Sequence, residues 1–157
     1  MPDLPKITLI TCGYKEINQT YPNIEHIISE DVDPSVAFND GVSSSNNLIY
    51  GFLDQYSNFA TKFTVERIVR QFLEYPELGG VYTDNLLNGY RQYYPSYSYL
   101  STQANQINTP FFCRKEVKIE FGQSNLYYDE AIKKIGGYTI LHHIPEALFV
   151  INTNASN

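Results

Sequence analysis

Polar or aromatic side chains stand at the ends of four short apolar runs in this sequence. They are Thr11, which ends the first run, and Tyr14 shortly after it, Glu30 and Asp31 after the second, Asp54 after the third and Asp84 after the fourth. In an open α/β sheet, ligands bind outside the carboxyl ends of the strands, so these side chains would line one cleft. Carboxylates there can accept hydrogen bonds from a base or a ribose hydroxyl, and a pair of them can hold a divalent cation against a diphosphate. Strand-end acids that are merely solvated would give the same pattern.

The four apolar runs have the composition of strands in the interior of a sheet. They cover residues 7–11, 24–28, 48–53 and 81–83. The run at 48–53 is apolar almost throughout, which is typical of a strand buried on both faces. The twelve residues from Cys12 to Asn23 must cross the sheet between the first two strands, so at most one or two helical turns fit there.

Helical spacing and capping residues predict three helices, over 34–41, 65–75 and 128–135. Their predicted end signals are Asp33-Pro34 and Gly41 for the first, Thr64 and Pro76 for the second, and Gly136-Gly137 after the third. The pair 79–80, both glycine, is expected to turn the chain into the fourth strand. One or two further strands are expected over 138–151.

Strands alternating with helices, with polar residues at the strand ends, predict an α/β fold in one domain spanning residues 1–157. The formal net charge of -6 and the 11 Lys and Arg residues argue against a nucleic-acid-binding surface. The two cysteines make no disulfide framework, which favours a reducing compartment and hence the cytoplasm. No apolar stretch approaches the ~20 residues that a membrane span needs.

Two aromatic or titratable clusters lie outside the strand ends. Residues 90–99 hold five tyrosines, whose rings suit stacking on a sugar, sealing a partly wet interface or packing on the core. His142 and His143 are adjacent, and neighbouring residues of a strand point to opposite faces, so at most one of them approaches the cleft. A structural histidine is the preferred interpretation over a metal ligand.

Five short segments follow one another in a recognisable order, at 7–14, 19–28, 37–42, 52–54 and 81–84. They resemble, in turn, the first strand, the entry to the second strand, the Asn-x-Gly segment, the start of the Asp-x-Asp metal motif and a later strand of family 2 glycosyltransferases. The likeness covers residues 7–84 and, more loosely, 109–151. It implies a GT-A type fold, a Rossmann-like and mostly parallel sheet flanked by helices that binds a nucleotide-diphosphate sugar.

The resemblance implies a donor site built from the strand-end residues. Thr11 and Tyr14 would flank the nucleotide base. Glu30, with Asp31 beside it, would take the place of the acid that binds the base. Asp84, at the end of the strand after the helix, is included among the donor-binding residues.

Asp54 stands at the first position of the family's metal motif, where the resemblance implies contact with the ribose and with Mg²⁺ or Mn²⁺. The second acid of that motif would lie two residues on, where this chain has Tyr56. A neutral phenol is a poor ligand for these cations, which prefer charged oxygens. Asp54 would therefore hold a metal weakly, together with diphosphate oxygens and waters. The substitution favours metal-independent transfer or binding alone.

Asp129 is the candidate general base. Inverting members of the family use a carboxylate near the start of a late helix to take the acceptor hydroxyl's proton as it attacks the anomeric carbon. Asp129 resembles that residue in placement and is preferred to its neighbour Glu130. An acid in the first turn of a helix is also favoured by the helix dipole alone, which gives a competing structural interpretation.

The resemblance thus implies a glycosyltransferase that moves a sugar from a nucleotide-diphosphate donor, a UDP-sugar first of all, to the hydroxyl of a glycan or other acceptor with inversion. The alternative is a noncatalytic module of the same fold. It would bind a nucleotide, a glycan or a protein partner, the last two through the tyrosines of 90–99. Tyr56 at the metal position favours this alternative.

Overall fold

A computed structural model describes residues 4–30, 33–96, 106–115 and 127–153 of the chain. Within these residues the chain forms three helices, namely α1 (Pro34–Ser43), α2 (Thr64–Glu74) and α3 (Tyr127–Tyr138). The strands of the described residues are β1 (Ile7–Cys12), β2 (Ile24–Ser29), β3 (Ile49–Leu53), β4 (Ser57–Phe59), β5 (Leu78–Leu87), β6 (Tyr90–Gln92), β7 (Phe111–Arg114) and β8 (Ile140–Ile151).

The described strands form one mixed sheet with the order β2-β1-β3-β7-β5-β8-β4, and β6 pairs with the outer part of β5. β1 runs parallel to β2 and β3, and β5 runs parallel to β8. β7 lies antiparallel between β3 and β5, and β4 is antiparallel to β8. The predicted α/β fold with flanking helices is confirmed, but the sheet is mixed rather than mostly parallel. β7 is only four residues long, which is too short for its direction to be read from the sequence.

Both faces of the sheet are covered, which agrees with the apolar composition predicted for the central strands. On one face, Phe52 of β3 packs in a cluster with Phe38 of α1 and Tyr128 of α3. On the other face, Leu53 of β3 packs in a cluster with Phe72 of α2. The alternating side chains of β3 are therefore buried on both sides. This packing also brings the start of α3 to the carboxyl end of β3, where Asp54 follows.

Two glycine pairs lie inside regular elements instead of ending them. The pair 79–80 was expected to form a turn but belongs to β5. A Cβ atom on Gly80 would lie 2.6 Å from Cγ2 of Ile135, so glycine allows β5 and α3 to approach closely. The pair 136–137 was expected to end α3, but α3 continues to Tyr138.

The helix ends differ from the prediction in two further places. Asp33 caps α1 as predicted, accepting a hydrogen bond from the backbone N–H two residues on at 3.0 Å. However, α1 passes Gly41, which lies close against β1, and ends at Ser43. Thr64 is the first helical residue of α2 rather than its N-cap, and its hydroxyl donates to the carbonyl oxygen of Leu148 at 2.8 Å.

The connection between β1 and β2 is a loop. Residues 13–23 are all described and contain no helix, in agreement with the limit that its length sets. β1 therefore runs directly into an irregular segment at the sheet edge where β3 also ends. In the part of the chain that the structure describes, no helix is both long enough and apolar enough to cross a membrane.

Candidate functional site

The carboxyl ends of β1, β2 and β3 lie side by side at one edge of the sheet. Thr11 pairs in register with residues of both β2 and β3. The loop after β1, Glu30 and Asp54 therefore emerge at this edge together. Asp84 lies in β5, two residues after the part of β5 that pairs with β7. Because β7 separates β5 from β3, Asp84 lies two strand spacings, roughly 10 Å, from the end of β3 along the same edge.

Asp54 is 3% exposed, and other groups of the protein donate hydrogen bonds to both of its carboxylate oxygens. Oδ1 accepts from the hydroxyl of Ser57 at 2.6 Å and from the backbone N–H of Tyr56 at 3.1 Å. Oδ2 accepts from the hydroxyl of Tyr127. The carboxylate is thus fixed in orientation at the point where β3 ends.

The first residues of α3 complete this cluster. The hydroxyl of Tyr128 accepts a hydrogen bond from the backbone N–H of Asp54 at 2.7 Å and lies 3.0 Å from Oγ of Ser57. Burial, and next the charge of Asp54, raise the pKa of Tyr127 and of Tyr128 above that of an ordinary tyrosine. Both hydroxyls therefore stay neutral at physiological pH. The sequence predicted a helix here but missed the two tyrosines, whose only signal is their position directly before Asp129.

We expect Tyr128→Phe to lower the free energy of unfolding by about 1–3 kcal/mol. The ring that fills the core is kept, but the buried N–H of Asp54 loses its acceptor, and an unsatisfied buried donor carries that cost. Urea unfolding of the purified variant measures the loss. Tyr90→Phe is the matched control, because Tyr90 is 75% exposed. Removing the hydroxyl of an exposed tyrosine leaves no buried group unpaired and should change stability little. Equal stability of wild type and Tyr128→Phe would contradict the assigned hydrogen bond.

Lys15 brings a positive charge to this edge. Its ammonium group lies 3.4 Å from the carbonyl oxygen of Gln55, the residue between Asp54 and Tyr56. Burial lowers the pKa of Lys15, and the nearby charges of Asp54 and Cys12 oppose that effect. Sequence reasoning did not select this lysine, although its place directly after Tyr14 at the end of a strand was an available signal.

Thr11 shapes the turn at the end of β1. Its hydroxyl donates to the carbonyl oxygen of Gly13 at 2.7 Å, and its Oγ1 lies 2.8 Å from Nε2 of His26. Because a hydroxyl carries a single proton, Nε2 of His26 must bear hydrogen and donate to Thr11. The turn itself needs glycine, since Gly13 has φ of +83°. Thr11 is buried, and its hydrogen bond to Gly13 positions the loop that carries Tyr14 and Lys15.

His26 gives the stability of this edge a pH dependence. Burial, followed by the positive charge of Lys15, lowers the pKa of His26, so folding favours the neutral ring. The unfolded ring titrates near ~6.5. Its contribution to stability is therefore fully present above that pH and is lost as the pH falls through the lower folded-state pKa.

Urea unfolding between about pH 8 and pH 5 measures this loss. We expect the free energy of unfolding of His26→Gln, whose amide can still donate to Thr11, to fall less steeply on acidification than that of the wild type. Identical pH profiles for the two proteins would show that His26 does not cause the dependence.

Two other predicted donor-binding residues reach solvent at this edge. Tyr14 is 76% exposed, and Glu30 is also exposed just after β2. Asp31, predicted beside Glu30, lies outside the described residues. The structure therefore brings Thr11 and Asp54 to the same edge as buried groups, whereas Tyr14 and Glu30 are exposed to solvent.

Asp84 belongs to a second buried polar cluster and is 1% exposed. Its Oδ1 accepts from Nε2 of His143 at 2.8 Å and from the backbone N–H of Tyr94 at 2.9 Å, while Nη2 of Arg91 lies 3.2 Å from Oδ2. These contacts sit where the register of β5 against β8 shifts. They agree with a structural histidine at 143, while His142 contacts Gln71 of α2 instead. The carboxylate of Asp84 is thus used inside the protein.

Asp129, the candidate base, lies in the first turn of α3 and is 7% exposed. Its Oδ1 accepts from the backbone N–H of Ile107 at 2.7 Å, and Nζ of Lys133 lies 3.1 Å from Oδ2. Since Tyr127 and Tyr128 of the same turn contact Asp54, α3 carries Asp129 to the same end of the sheet. In this arrangement the carboxylate ties the 106–115 segment to α3.

The described residues around Asp54 do not fit a divalent cation. The carboxylate already accepts three hydrogen bonds, and the position two residues on is the neutral Tyr56. Mg²⁺ is usually held by one or two carboxylates together with substrate phosphates and waters. Both oxygens of Asp54 already accept hydrogen bonds within the protein. Across the described ranges, no group of three or more His, Cys, Asp and Glu side chains is placed to hold a metal ion.

The fold is similar to that of S. aureus TarS. The structure of TarS 1-349 in complex with UDP-GlcNAc matches 97% of this chain with a TM-score of 0.70 and 12% sequence identity. TarS 1-349 in complex with UDP matches 94% of the chain with a TM-score of 0.65, again at 12% identity. The chain spans 60% of the length of each of these structures. No protein-family model matches the sequence, and comparison with curated protein sequences finds no match. The likeness therefore shows a shared fold.

Proposed function

We propose that this chain is the donor-binding domain of a glycosyltransferase of the GT-A type, similar to family 2, and that its donor is a UDP-sugar. The observation that carries the proposal is the likeness of 97% of the chain to TarS in complex with UDP-GlcNAc. The order of sequence motifs supports the same family independently of the fold. The edge that carries Thr11, Tyr14, Glu30 and Asp54 is the edge at which open α/β sheets bind ligands.

In the proposed reaction, the oxygen of an acceptor hydroxyl forms a bond to the anomeric carbon of the donor sugar. The bond from that carbon to the β-phosphate oxygen breaks, and the nucleoside diphosphate leaves with the electron pair. Attack on the face opposite the leaving group inverts the anomeric centre. A carboxylate takes the proton of the acceptor hydroxyl.

Asp129 is the proposed base for this proton. Its place in the first turn of α3, next to the tyrosines that contact Asp54, supports the assignment. To act, Oδ2 would exchange the ammonium of Lys133 for the acceptor hydroxyl, while the N–H of Ile107 keeps Oδ1 in place. Donor binding alone does not need this exchange.

The proposed donor contacts follow from exposure. Tyr14 is available for stacking on the base, and Glu30 is available to accept hydrogen bonds from it. Asp54 is proposed to orient the loop that meets the ribose and diphosphate. Asp84 is proposed to act on the donor indirectly, by stabilising this edge of the sheet through its hydrogen bonds with His143, Arg91 and Tyr94.

A noncatalytic, nucleotide- or glycan-binding module is the second candidate. It is favoured by the engagement of both candidate catalytic carboxylates, Asp54 and Asp129, in hydrogen bonds within the protein. The exposed rings of Tyr90 and Tyr93, the latter stacked under Arg91 at 4.6 Å, would provide its glycan-binding surface.

The thermal stability of the purified protein with UDP-, GDP-, CMP- and dTDP-sugars, with and without Mn²⁺, tests the proposal. A ligand at ~100 times its dissociation constant adds about 2.7 kcal/mol of stability. We expect a UDP-sugar to stabilise the protein and to be hydrolysed or transferred slowly. Stabilisation without any turnover would favour the second candidate, and absence of stabilisation by every nucleotide would overturn the donor-binding function itself.

A further inference from the structure

The loop after β1 places a lysine beside the segment that follows β3 at the candidate site. We propose that Lys15 binds the diphosphate of the donor and supplies there the positive charge that a divalent cation would otherwise provide. This inference rests on the donor-binding function proposed above.

The ammonium group of Lys15 lies at the end of β3. Nζ of Lys15 lies 3.4 Å from the carbonyl oxygen of Gln55, so the side chain reaches across from β1 to the segment between Asp54 and Tyr56. That segment is where a metal motif would place its two acids, and Tyr56 replaces the second of them. The positively charged ammonium group of Lys15 therefore lies beside the position at which the second acid of the metal motif is missing.

Lys15 makes few contacts with the described residues of the protein. An ammonium group has three N–H donors, and the hydrogen bond to Gln55 is long for an N–H···O bond. Among the described residues, no carboxylate lies within 4 Å of its Nζ, whereas five other Lys and Arg side chains do form such ion pairs, namely Arg67, Arg70, Arg91, Lys133 and Lys134. Lys15 thus has donors left for a ligand.

The charges of the protein also favour this role for Lys15. A diphosphate is strongly anionic and must approach a protein with a net charge of -6, next to the carboxylate of Asp54. That approach needs a local cation, and a half-buried ammonium interacts with phosphate oxygens more strongly than one in open water. The loop is held for this contact by Gly13, whose N–H donates to Ser29 of β2 at 2.8 Å, and by Thr11.

The chemical role follows from the bond that breaks. As the anomeric carbon separates from the β-phosphate oxygen, the nucleoside diphosphate takes the electron pair and gains negative charge. Lys15 would stabilise that charge by hydrogen bonding and Coulomb attraction while keeping its own proton. Its effect should therefore depend on the diphosphate and be independent of the base.

Binding of UDP and of uridine to the full chain, measured by calorimetry in EDTA and again in Mn²⁺, tests the inference. We expect the wild type to bind UDP in EDTA. Lys15→Ala should weaken UDP binding by about tenfold or more and leave uridine binding unchanged, because uridine has no phosphate. Lys15→Arg should retain most of the affinity for UDP. Lys6→Ala, an exposed lysine at the opposite end of β1, is the control and should bind like the wild type.

The outcomes separate this inference from the proposed function. If the wild type binds UDP only when Mn²⁺ is present, or if Lys15→Ala binds UDP as tightly as Lys6→Ala, Lys15 does not replace a metal, and the donor-binding function stands. If the wild type binds neither UDP nor any UDP-sugar under either condition, the proposed function fails and the inference fails with it. Circular dichroism spectra of the variants show whether each one is folded.

Discussion

Asp84→Ala is expected to lower the free energy of unfolding by about 3 kcal/mol, although Asp84 lies at the edge of the sheet that is predicted to bind a ligand. The substitution removes the acceptor for His143, for Arg91 and for the backbone N–H of Tyr94. Removing one partner of a buried charged cluster costs about 3–5 kcal/mol, because the remaining polar groups stay buried without compensation. We expect the lower end of that range, since Arg91 is partly exposed and can turn toward water.

Chemical unfolding of Asp84→Ala and of two comparison variants measures this effect. Asp84→Asn keeps an acceptor for one of the donors and should lose less stability. Glu146→Ala breaks the ion pair with Arg67, in which Glu146 is exposed and Arg67 partly exposed, and should change stability by no more than about 1 kcal/mol. A loss for Asp84→Ala no larger than that for Glu146→Ala would show that the cluster does not stabilise the fold.

The strands of the sheet were predictable where they are long enough or apolar enough to be recognised from local sequence. β1, β2 and β3 appear within a residue or two of their predicted bounds, because their β-branched and aromatic residues favour strands. The expected interior position of β2 was wrong, since β2 is the outermost strand of the described sheet beside β1 and is only partly buried. β4 and β7 have three and four residues, and their pairing partners lie far away in the sequence. The direction of β7 between β3 and β5 therefore depends on tertiary packing that local sequence does not encode.

Glycine was misread for a related reason. The turn expected at 79–80 assumed that two glycines mark a bend, whereas Gly80 is small because Ile135 of α3 packs against its backbone. A glycine that makes room for a neighbour and a glycine that permits a turn look the same in one sequence. Only the position of α3, set by the whole core, distinguishes them.

The candidate site was predictable in its acids and not in the groups that hold them. Asp54 follows the apolar strand β3, and Asp84 follows the apolar run 81–83, although β5 continues beyond it to Leu87. Both positions are marked by local sequence. Tyr127 and Tyr128 contact Asp54 from 73 and 74 residues away, and His143 reaches Asp84 from 59 residues away. These partners change the role expected for the two acids. A carboxylate whose oxygens accept hydrogen bonds within the protein has a structural role in positioning neighbouring segments, whether or not it also binds a ligand.

Asp54→Ala is expected to cost about 3 kcal/mol of stability, near the upper end for hydrogen bonds to a charged group. The donors left without an acceptor are the hydroxyls of Ser57 and Tyr127 and the backbone N–H of Tyr56. Asp54→Asn keeps a carbonyl oxygen for the first and third of these, and its amide can donate to Tyr127. We therefore expect it to lose about 1 kcal/mol by the same measurement of urea unfolding. Equal losses for the two variants would contradict the hydrogen-bonding role of the carboxylate.

The asparagine variant also separates the shape of this site from its charge. If Asp54→Asn folds and still binds UDP in EDTA, the negative charge is not needed to hold a metal, and the residue acts by orienting the end of β3 beside Lys15. If the folded variant loses UDP binding that the wild type shows only with Mn²⁺, Asp54 ligates a cation despite its three hydrogen bonds. The donor site would then have to open around Asp54 when it binds, and the tyrosines at the start of α3 would have to move.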